Sequence, residues 1–303
     1  MTNAPKGNER GCRDIGSTGL DHVALMGCSL LARELATLIS LGAMKVHLCP
    51  GEGESALEAI PTIESELAAK AETWVISESE AKSLAARIKP EESVADLPDS
   101  VGLVLVVTKC CGQERTELLK WLDSKLPPHV VIAAFLGADK LEGQLVGVKY
   151  PKRFVGFRIF PPVWDTAVAE LVPADFTSDA ALDFFKKFLT KLSKQILVIE
   201  DQGGNLSVRA FVGLVREAAN MCDSGSMSPM QADEALRDMM GMRMGPLALA
   251  DRIGLTVVAD WCRSLARLHD EPSYDVPPIL ERNIKQGRLG YDAGAGFLDY
   301  MAS

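Results

Sequence analysis

Residues 21–48 carry the pattern that most constrains the fold of this chain. Two short apolar runs, His22–Met26 and Lys45–Leu48, have the length and composition of buried β-strands. Between them, Leu30–Leu41 has apolar residues at helical spacing and ends at Gly42, a residue suited to close a helix. The pattern therefore predicts a strand, a glycine turn, a helix and a second strand in direct succession.

The turn after the first predicted strand reads G-C-S-L-L-A over residues 27–32. A turn of the form G-x-G-x-x-G, or with Ala at the end, binds a dinucleotide pyrophosphate at the helix N-terminus. Gly27 and Ala32 match the first and third positions, whereas Ser29 replaces the middle glycine. The ribose-binding carboxylate expected after the second strand is replaced by Pro50, with Glu52 as the alternative through a shifted loop. We expect Gly27, Ser29 and Ala32 to form a weakened nucleotide site.

The remainder of the first 200 residues alternates strand-like and helical segments. Helices are predicted at 54–70, 77–88 and about 179–193, with Pro90 ending the second. The strand-like runs are Leu103–Val107, Val130–Phe135, Phe154–Phe160, Val168–Val172 and Gln195–Ile199. Strands that alternate with helices predict an α/β fold with a doubly wound, mostly parallel sheet of the Rossmann type.

The pattern changes after Asp201, because the apolar spacing from 206 to 287 is helical throughout. We predict three parts: a flexible N-terminal tail over 1–20, a Rossmann-like domain over 21–200 and an all-helical domain over 201–303. Residues 1–20 lack the apolar core of a secretory signal.

The net charge of −9 argues against binding to nucleic acids, which requires concentrated Lys and Arg. No apolar run reaches the length of about 20 residues needed for a membrane span, so no membrane insertion is expected. The seven dispersed cysteines favour reduced thiols inside the cell, in the cytoplasm or in mitochondria. Cys110-Cys111 has no nearby His or Cys to complete a metal set, so no metal site is predicted.

Several segments in both predicted domains make the chain resemble the L-3-hydroxyacyl-CoA dehydrogenase family, including relatives that act on sugar acids such as gulonate. The resemblance implies a Rossmann-like domain, a helical domain of the kind found in 6-phosphogluconate dehydrogenase, and a homodimer formed through that helical domain. The segments that carry it are Arg153–Phe157, Glu170–Val172, Met244–Leu247, Asp251–Leu255, Gly287–Gly290 and Gly294–Tyr300.

The resemblance also implies roles for individual positions, and most of them hold other residues here. The family's histidine base falls on Arg158, and the glutamate that orients the histidine falls on Glu170. Gly137 stands in place of a serine that holds the substrate, and Val208 in place of an asparagine. The family's glutamate near the nicotinamide falls on Cys110.

A guanidinium is always protonated and cannot act as a base. We therefore predict that Arg158 and Glu170 form an ion pair, that no residue is catalytic and that no cofactor is bound, with NAD as the alternative. On this interpretation the chain is an inactive structural or assembly subunit, partnered with its own copy and with a larger assembly. One alternative is an active NAD-dependent dehydrogenase, with Arg158 on a substrate carboxylate and Glu170 acting as base through a water. Another is a module that senses a nucleotide or acyl-CoA.

Overall fold

The computed structural model describes residues 15–74, 76–270 and 274–300. The chain divides into two compact units, with the main boundary between Glu200 and Asp201. The short segment Leu136–Lys140 belongs with the second unit, although the chain around it belongs to the first. Among the described helices, none combines the length and the apolar character that crossing a membrane requires.

The first unit is built on one eight-stranded sheet with the strand order β3-β2-β1-β4-β5-β6-β7-β8. Its strands are β1 His22–Met26, β2 Lys45–Cys49, β3 Ile88–Pro90, β4 Leu103–Val106, β5 Val131–Phe135, β6 Phe154–Arg158, β7 Val168–Val172 and β8 Gln195–Val198. Neighbouring strands are parallel except for β6 and β7, which are antiparallel. The predicted α/β fold with a mostly parallel sheet is confirmed.

Within the described part of the first unit, six helices connect the strands. They are α1 Leu30–Leu41, α2 Ala56–Trp74, α3 Glu78–Ala85, α4 Gly112–Lys125, α5 Leu141–Gln144 and α6 Asp179–Lys191. Helix α1 packs on β1 and β2, whereas α6 packs on β5 and β6. The central strands are covered on both faces, which explains why β4 reads as an uninterrupted apolar run with every residue buried.

The structure corrects the prediction for residues 77–90. Helix α3 ends at Ala85, and Ile88–Pro90 form the edge strand β3 rather than a helix end. Ile88 pairs with Val46 of β2. Proline is tolerated there because an edge strand has no partner on its outer side, so no hydrogen bond from the N–H that proline lacks is needed.

The predicted tail over residues 1–20 is also corrected in part. Residues 1–14 lie outside the described residues. Ile15 is buried in the core of the first unit, and the N–H of Gly16 donates to the carbonyl of His129 at 3.0 Å. Residues 15–20 therefore belong to the folded unit, since Ile15 contributes to its core.

The second unit is helical, as predicted. Its helices are α7 Leu206–Asp223, α8 Pro229–Met240, α9 Pro246–Ile253, α10 Leu255–His269 and α11 Pro278–Lys285. Ser228 begins α8 with a capping box, and Gly241 ends it in the left-handed conformation with φ of 64°.

The carboxylate of Asp251 in α9 organises the end of the described chain. It accepts hydrogen bonds from the N–H groups of Phe297 at 2.8 Å and Leu298 at 2.9 Å, and from the hydroxyl of Tyr300 at 3.0 Å. A Cβ at position 296 would lie 1.9 Å from the same carboxylate, so Gly296 is required for this approach. The glycines of the C-terminal motif therefore serve packing around one buried acid.

Candidate functional site

The parallel strands β1, β4, β5 and β6 end at the same edge of the sheet. The strand order reverses between β1 and β4, which lie side by side at the centre. In open α/β sheets, ligands bind outside the carboxyl ends of the strands at this point of reversal. Gly27 follows β1 here, and Arg158 ends β6 at the same edge.

Gly27 is fixed between the ends of β2 and β4. Its N–H donates to the carbonyl of Cys49 at 2.9 Å. Its φ is 121°, and an added Cβ would lie 2.4 Å from the carbonyl oxygen of Val107. Both the backbone conformation and the lack of space therefore require glycine at the first position of the turn.

Ser29 replaces the middle glycine of the turn without backbone strain. Its φ of −61° and ψ of 165° are accessible to any residue, and it is the N-cap of α1. Its Oγ accepts a hydrogen bond from the N–H of Ala32 at 3.5 Å. Ala32 is fully buried, as the packing position of the turn demands. The turn therefore still presents the N-terminus of a 12-residue helix, where anions are stabilised.

A carboxylate reaches the turn from the loop after β2, and it belongs to Glu54. Its Oε2 accepts hydrogen bonds from the N–H of Cys28 at 2.7 Å and from the N–H of Gly51 at 3.0 Å. Glu52, the alternative from the sequence, is exposed. The residue that sequence analysis missed thus lies four positions beyond Pro50, and a glycine turn next to a carboxylate fits the needs of NAD.

Burial, followed by the neighbouring Glu54, raises the pKa of the Cys28 thiol to about 11. Cys28 is therefore a neutral thiol at physiological pH rather than a nucleophile. On the other side of the turn, Arg33 Nη1 donates to the carbonyl of Cys28 at 3.0 Å. The same guanidinium pairs with Glu66, with Nη2 and Oε1 2.9 Å apart. These bonds hold the turn in one conformation.

Arg158 and Glu170 form the predicted ion pair. They are directly opposite each other on the antiparallel strands β6 and β7, and Arg158 Nη1 donates to Glu170 Oε2. Only 2% of the Arg158 side chain and 12% of the Glu170 side chain are exposed. The structure confirms this pair, which places a fixed positive charge and a carboxylate at the carboxyl end of β6.

Two further predicted positions, Gly137 and Val208, lie in the second unit. A Cβ at Gly137 would lie 2.3 Å from the indole nitrogen of Trp261 in α10, so the ring fills the space of a side chain there. Val208 is fully buried in α7 and serves packing. In the first unit, Cys110 follows β4 and its Sγ lies 2.9 Å from the hydroxyl of Thr108.

The three histidines of the first unit lie away from this edge. His22 opens β1, and its Nδ1 is 3.0 Å from Nε2 of His47 in the middle of β2. His47 Nδ1 is in turn 2.7 Å from Glu91 Oε1. His129 precedes β5 at the amino end. None of the three therefore replaces a base at the end of β6.

Burial makes the largest contribution to lowering the pKa of His22 from 6.5, followed by the proximity of His47, Lys45 and Lys89, whereas Asp21 raises it.

Among the described residues, no group of three or more His, Cys, Asp or Glu side chains is arranged to hold a metal ion.

Comparison with curated proteins shows similarity to enzymes over almost the whole chain. A probable 3-hydroxybutyryl-CoA dehydrogenase of Bacillus subtilis is 27% identical over 286 residues, which cover 93% of this chain and 98% of the relative. A 3-hydroxybutyryl-CoA dehydrogenase of Bradyrhizobium diazoefficiens is 27% identical over 288 residues, covering 94% and 97%.

Among solved structures, the (S)-3-hydroxybutyryl-CoA dehydrogenase of Ralstonia eutropha matches with a TM-score of 0.74. The match has 23% identity and covers 94% of this chain and all of the other. At this identity the likeness supports the fold alone.

These relatives overturn the prediction of a catalytically inactive structural subunit. Proteins that match 93–94% of this chain are named as dehydrogenases, and the chain keeps a glycine turn with a carboxylate beside it. The prediction was wrong because it treated the loss of residues at their usual positions as the loss of their chemistry. A carboxylate is absent from the end of β2, but Glu54 places one beside the glycine turn from a position further along the loop.

Family models match both halves of the chain. The model for the NAD-binding domain of 3-hydroxyacyl-CoA dehydrogenase matches residues 22–202, and the model for its C-terminal domain matches residues 204–300. The prediction that no cofactor is used is therefore not supported, since the first half matches a domain described by its binding of NAD. This chain belongs to the 3-hydroxyacyl-CoA dehydrogenase family.

Proposed function

We propose that this chain is an NAD-dependent dehydrogenase that oxidises the hydroxyl group of a 3-hydroxyacyl-CoA or of another hydroxy acid. The observation that carries the proposal is the contact between the Glu54 carboxylate and the N–H of Cys28 in the glycine turn. The names of the full-length relatives support the reaction class and the acyl-CoA substrate.

The chain's own groups would hold the cofactor as follows. The N-terminus of α1, which follows Ser29, would bind the pyrophosphate, because the N–H of Cys28 is already donated to Glu54. Glu54 would accept hydrogen bonds from ribose hydroxyls. Because Gly27 has no side chain, the turn packs directly against the carbonyl of Val107, which would leave room for the ligand above the turn. When bound, NAD supplies the acceptor for the hydride.

Arg158 would stabilise the negative charge that develops on the substrate, and Glu170 would accept the proton of its hydroxyl group. As the hydride leaves carbon, the hydroxyl loses its proton and a carbonyl double bond forms, so negative charge develops on the oxygen. The Arg158 guanidinium stabilises that charge, or binds a carboxylate of the substrate, because it is permanently positive. Glu170 orients the guanidinium and receives the proton through a water, since no histidine of the first unit lies at this edge.

The test is NADH formation by the purified full chain with NAD and a panel of 3-hydroxyacyl-CoA thioesters and sugar acids. We expect Glu170→Gln to lower kcat by about 10²–10⁴-fold, the usual contribution of a general base. Asp175→Asn is the matched control, because Asp175 is an exposed carboxylate in the segment after β7. Its kcat should equal that of the unmodified chain.

Two results would contradict the proposal. One is a chain that binds NAD but forms no NADH with any member of the panel. The other is a Glu170→Gln variant that turns over as fast as the unmodified chain, which would exclude Glu170 as the proton acceptor.

A homodimer through the helical domain stays a prediction from the family resemblance. Light scattering on the purified chain measures its mass in solution. A dimer mass is expected, and a monomer at all concentrations would contradict the prediction.

A further inference from the structure

We infer that Glu34 in α1 and Lys194 before β8 are positioning residues for the proposed dehydrogenase reaction. Together they fix the loop over residues 159–167, which connects the end of β6 at Arg158 to β7 and its Glu170. The inference rests on the proposed function, which gives that ion pair its chemical role. Both positioning residues carry a charge, and they are only 1% and 9% exposed.

The loop begins directly after the ion pair. Strands β6 and β7 are paired from Gly156 and Val172 to Arg158 and Glu170, so the two charged residues form the last pair of the ladder. No strand pairing supports this pair on the side of the loop, so its geometry depends on how the loop is held. A catalytic group that is misplaced by about 1 Å can lower a rate by about 100-fold.

Val163, in the middle of the loop, is held through both polar groups of its backbone. Its N–H donates to Oε2 of Glu34 at 2.9 Å. Its carbonyl accepts a hydrogen bond from Nζ of Lys194. Hydrogen bonds to charged groups are stronger than those between neutral groups. The backbone of one fully buried residue therefore connects a buried carboxylate to a buried ammonium.

The second half of the loop is attached to the same ammonium. Nζ of Lys194 also donates to the carbonyl of Thr166 at 2.7 Å. The hydroxyl of Thr166 donates to the carbonyl of Phe160 at 2.8 Å, which closes the loop on itself. Burial lowers the pKa of Lys194, and the negative charge of Asp165 opposes that effect. The loop thus supplies the carbonyl oxygens and the nearby negative charge that a buried ammonium needs.

Glu34 connects this loop to the helix that follows the glycine turn. Helix α1 begins at Leu30, directly after Ser29, and Glu34 lies in its second turn. The loop is therefore attached to the same helix whose N-terminus would bind the pyrophosphate. This attachment relates the position of Arg158 to that of the cofactor.

The glycine turn itself is held by other bonds. The N–H of Gly27 donates to the carbonyl of Cys49, and Arg33 donates to the carbonyl of Cys28. A change at Glu34 should therefore slow the chemical step and leave the affinity for the nucleotide almost unchanged.

The experiment measures NADH formation by the purified full chain, with the thioester or sugar acid that it turns over best. Glu34→Leu removes the acceptor of the Val163 N–H, and Lys194→Met removes the ammonium. In both variants kcat should fall by about 10–100-fold, the range for a misplaced catalytic group. The KM for NAD, and the affinity for NADH in a calorimetric titration, should stay within about threefold.

Glu34→Gln tests rescue, because its side-chain carbonyl can still accept the N–H of Val163. It should keep kcat within about fivefold of the unmodified chain. Ser40→Ala is the matched control, since Ser40 is also buried in α1 and donates to the carbonyl of Leu84 at 2.7 Å, outside the loop. This control should lower the midpoint of thermal unfolding and leave kcat unchanged.

Hydrogen exchange of a peptide covering residues 159–167 gives a second readout that needs no turnover. Exchange should be faster in Glu34→Leu and Lys194→Met, and it should stay close to that of the unmodified chain in Glu34→Gln. If Glu34→Leu does not fold, Thr166→Val provides the same test, because it removes only the hydroxyl bond to Phe160. Its kcat should fall while its affinity for NADH stays the same.

The outcomes separate this inference from the proposed function. If the folded variants turn over as fast as the unmodified chain, the loop does not position the ion pair and the inference fails. If kcat and NADH affinity fall together, and Glu34→Gln falls equally, both residues only stabilise the fold and the inference fails again. The proposed function survives either result. If the folded unmodified chain forms no NADH with any substrate of the panel, the proposed function fails and the inference fails with it.

Discussion

The pair of Asp123 in α4 and Arg153 before β6 offers a quantitative test of how the first unit is held together. Oδ1 of Asp123 accepts from Arg153 Nε at 3.1 Å and from Nη2 at 2.8 Å. Its Oδ2 accepts the N–H groups of Lys149 at 2.7 Å and Tyr150 at 3.2 Å. The Arg153 side chain is 0% exposed and that of Asp123 is 3% exposed.

Asp123→Asn keeps the shape of the side chain and removes its charge. Burial lowers the pKa of Arg153 and Asp123 opposes that effect, so the variant leaves a guanidinium in the core without its counter-charge. Removing one partner of a buried pair costs about 3–5 kcal/mol. For a unit of this size, the midpoint of thermal unfolding should fall by about 6–20 °C.

The assay is thermal and urea denaturation followed by circular dichroism. Asp183→Asn is the control, because Asp183 pairs with Lys186 at 3.4 Å on the surface, where the two side chains are 65% and 37% exposed. This control should lose less than about 0.5 kcal/mol. An Asp123→Asn variant that loses less than about 1 kcal/mol would refute the reasoning, since the buried guanidinium would then not need the negative charge.

Three further changes have defined outcomes. Gly27→Ala should abolish NADH binding in a calorimetric titration, because φ is 121° and the new Cβ would lie 2.4 Å from the Val107 carbonyl; unchanged affinity would contradict the site. Burial and the neighbouring His47 lower the pKa of His22 below 6.5, so the native state favours the neutral imidazole. The stability that His22 contributes is therefore present above that pH and is lost as the pH falls. The urea midpoint of His22→Gln should therefore decline less between about pH 7 and pH 5 than that of the unmodified chain, and equal declines would count against the argument. Burial raises the pKa of Asp251 to about 6, so its contribution is present in acid and is lost as the pH rises through that value. Asp251→Asn should remove this dependence from the urea midpoint of the second unit, and a slope that persists would exclude Asp251 as its source.

The sheet could largely be predicted from the sequence, because its strands are buried on both faces and read as apolar runs. The strand Val168–Val172 and the helix Leu30–Leu41 have the predicted bounds. Strand β3 could not be predicted, since Ile88–Pro90 has one buried residue and pairs on one side only. Its strand character comes from pairing with β2 rather than from its own sequence.

The candidate site was predicted unevenly. The ion pair of Arg158 and Glu170 followed from the family resemblance, because the positions face each other on paired strands. Glu54 was missed because sequence reasoning looked for a carboxylate at the strand end, where Pro50 stands. Two glycines in P-G-E-G-E were the available signal, since they allow the loop to fold back toward the turn.

The wrong prediction of an inactive subunit has the same origin. It treated each family position as the only source of its chemistry, so Arg158, Gly137 and Val208 counted as losses, and Ser29 and Pro50 counted as a weakened cofactor site. In the structure, Ser29 has a backbone conformation that any residue can adopt, and it caps α1. The loop after β2 places a carboxylate beside the glycine turn. Whether a side chain of one loop contacts another loop depends on the length of the side chain and on the loop conformation. Spacing along the sequence does not reveal such a contact.

The most direct test of the proposed dehydrogenase is a single-turnover reaction with the purified chain in excess over 3-hydroxybutyryl-CoA and with NAD saturating. Excess protein makes a slow catalyst visible, because each substrate molecule needs to react only once. The account predicts NADH fluorescence that rises in a single phase, in proportion to the substrate added, and much more slowly in Glu170→Gln. A flat signal from folded, NAD-bound protein across the thioesters and sugar acids would contradict it.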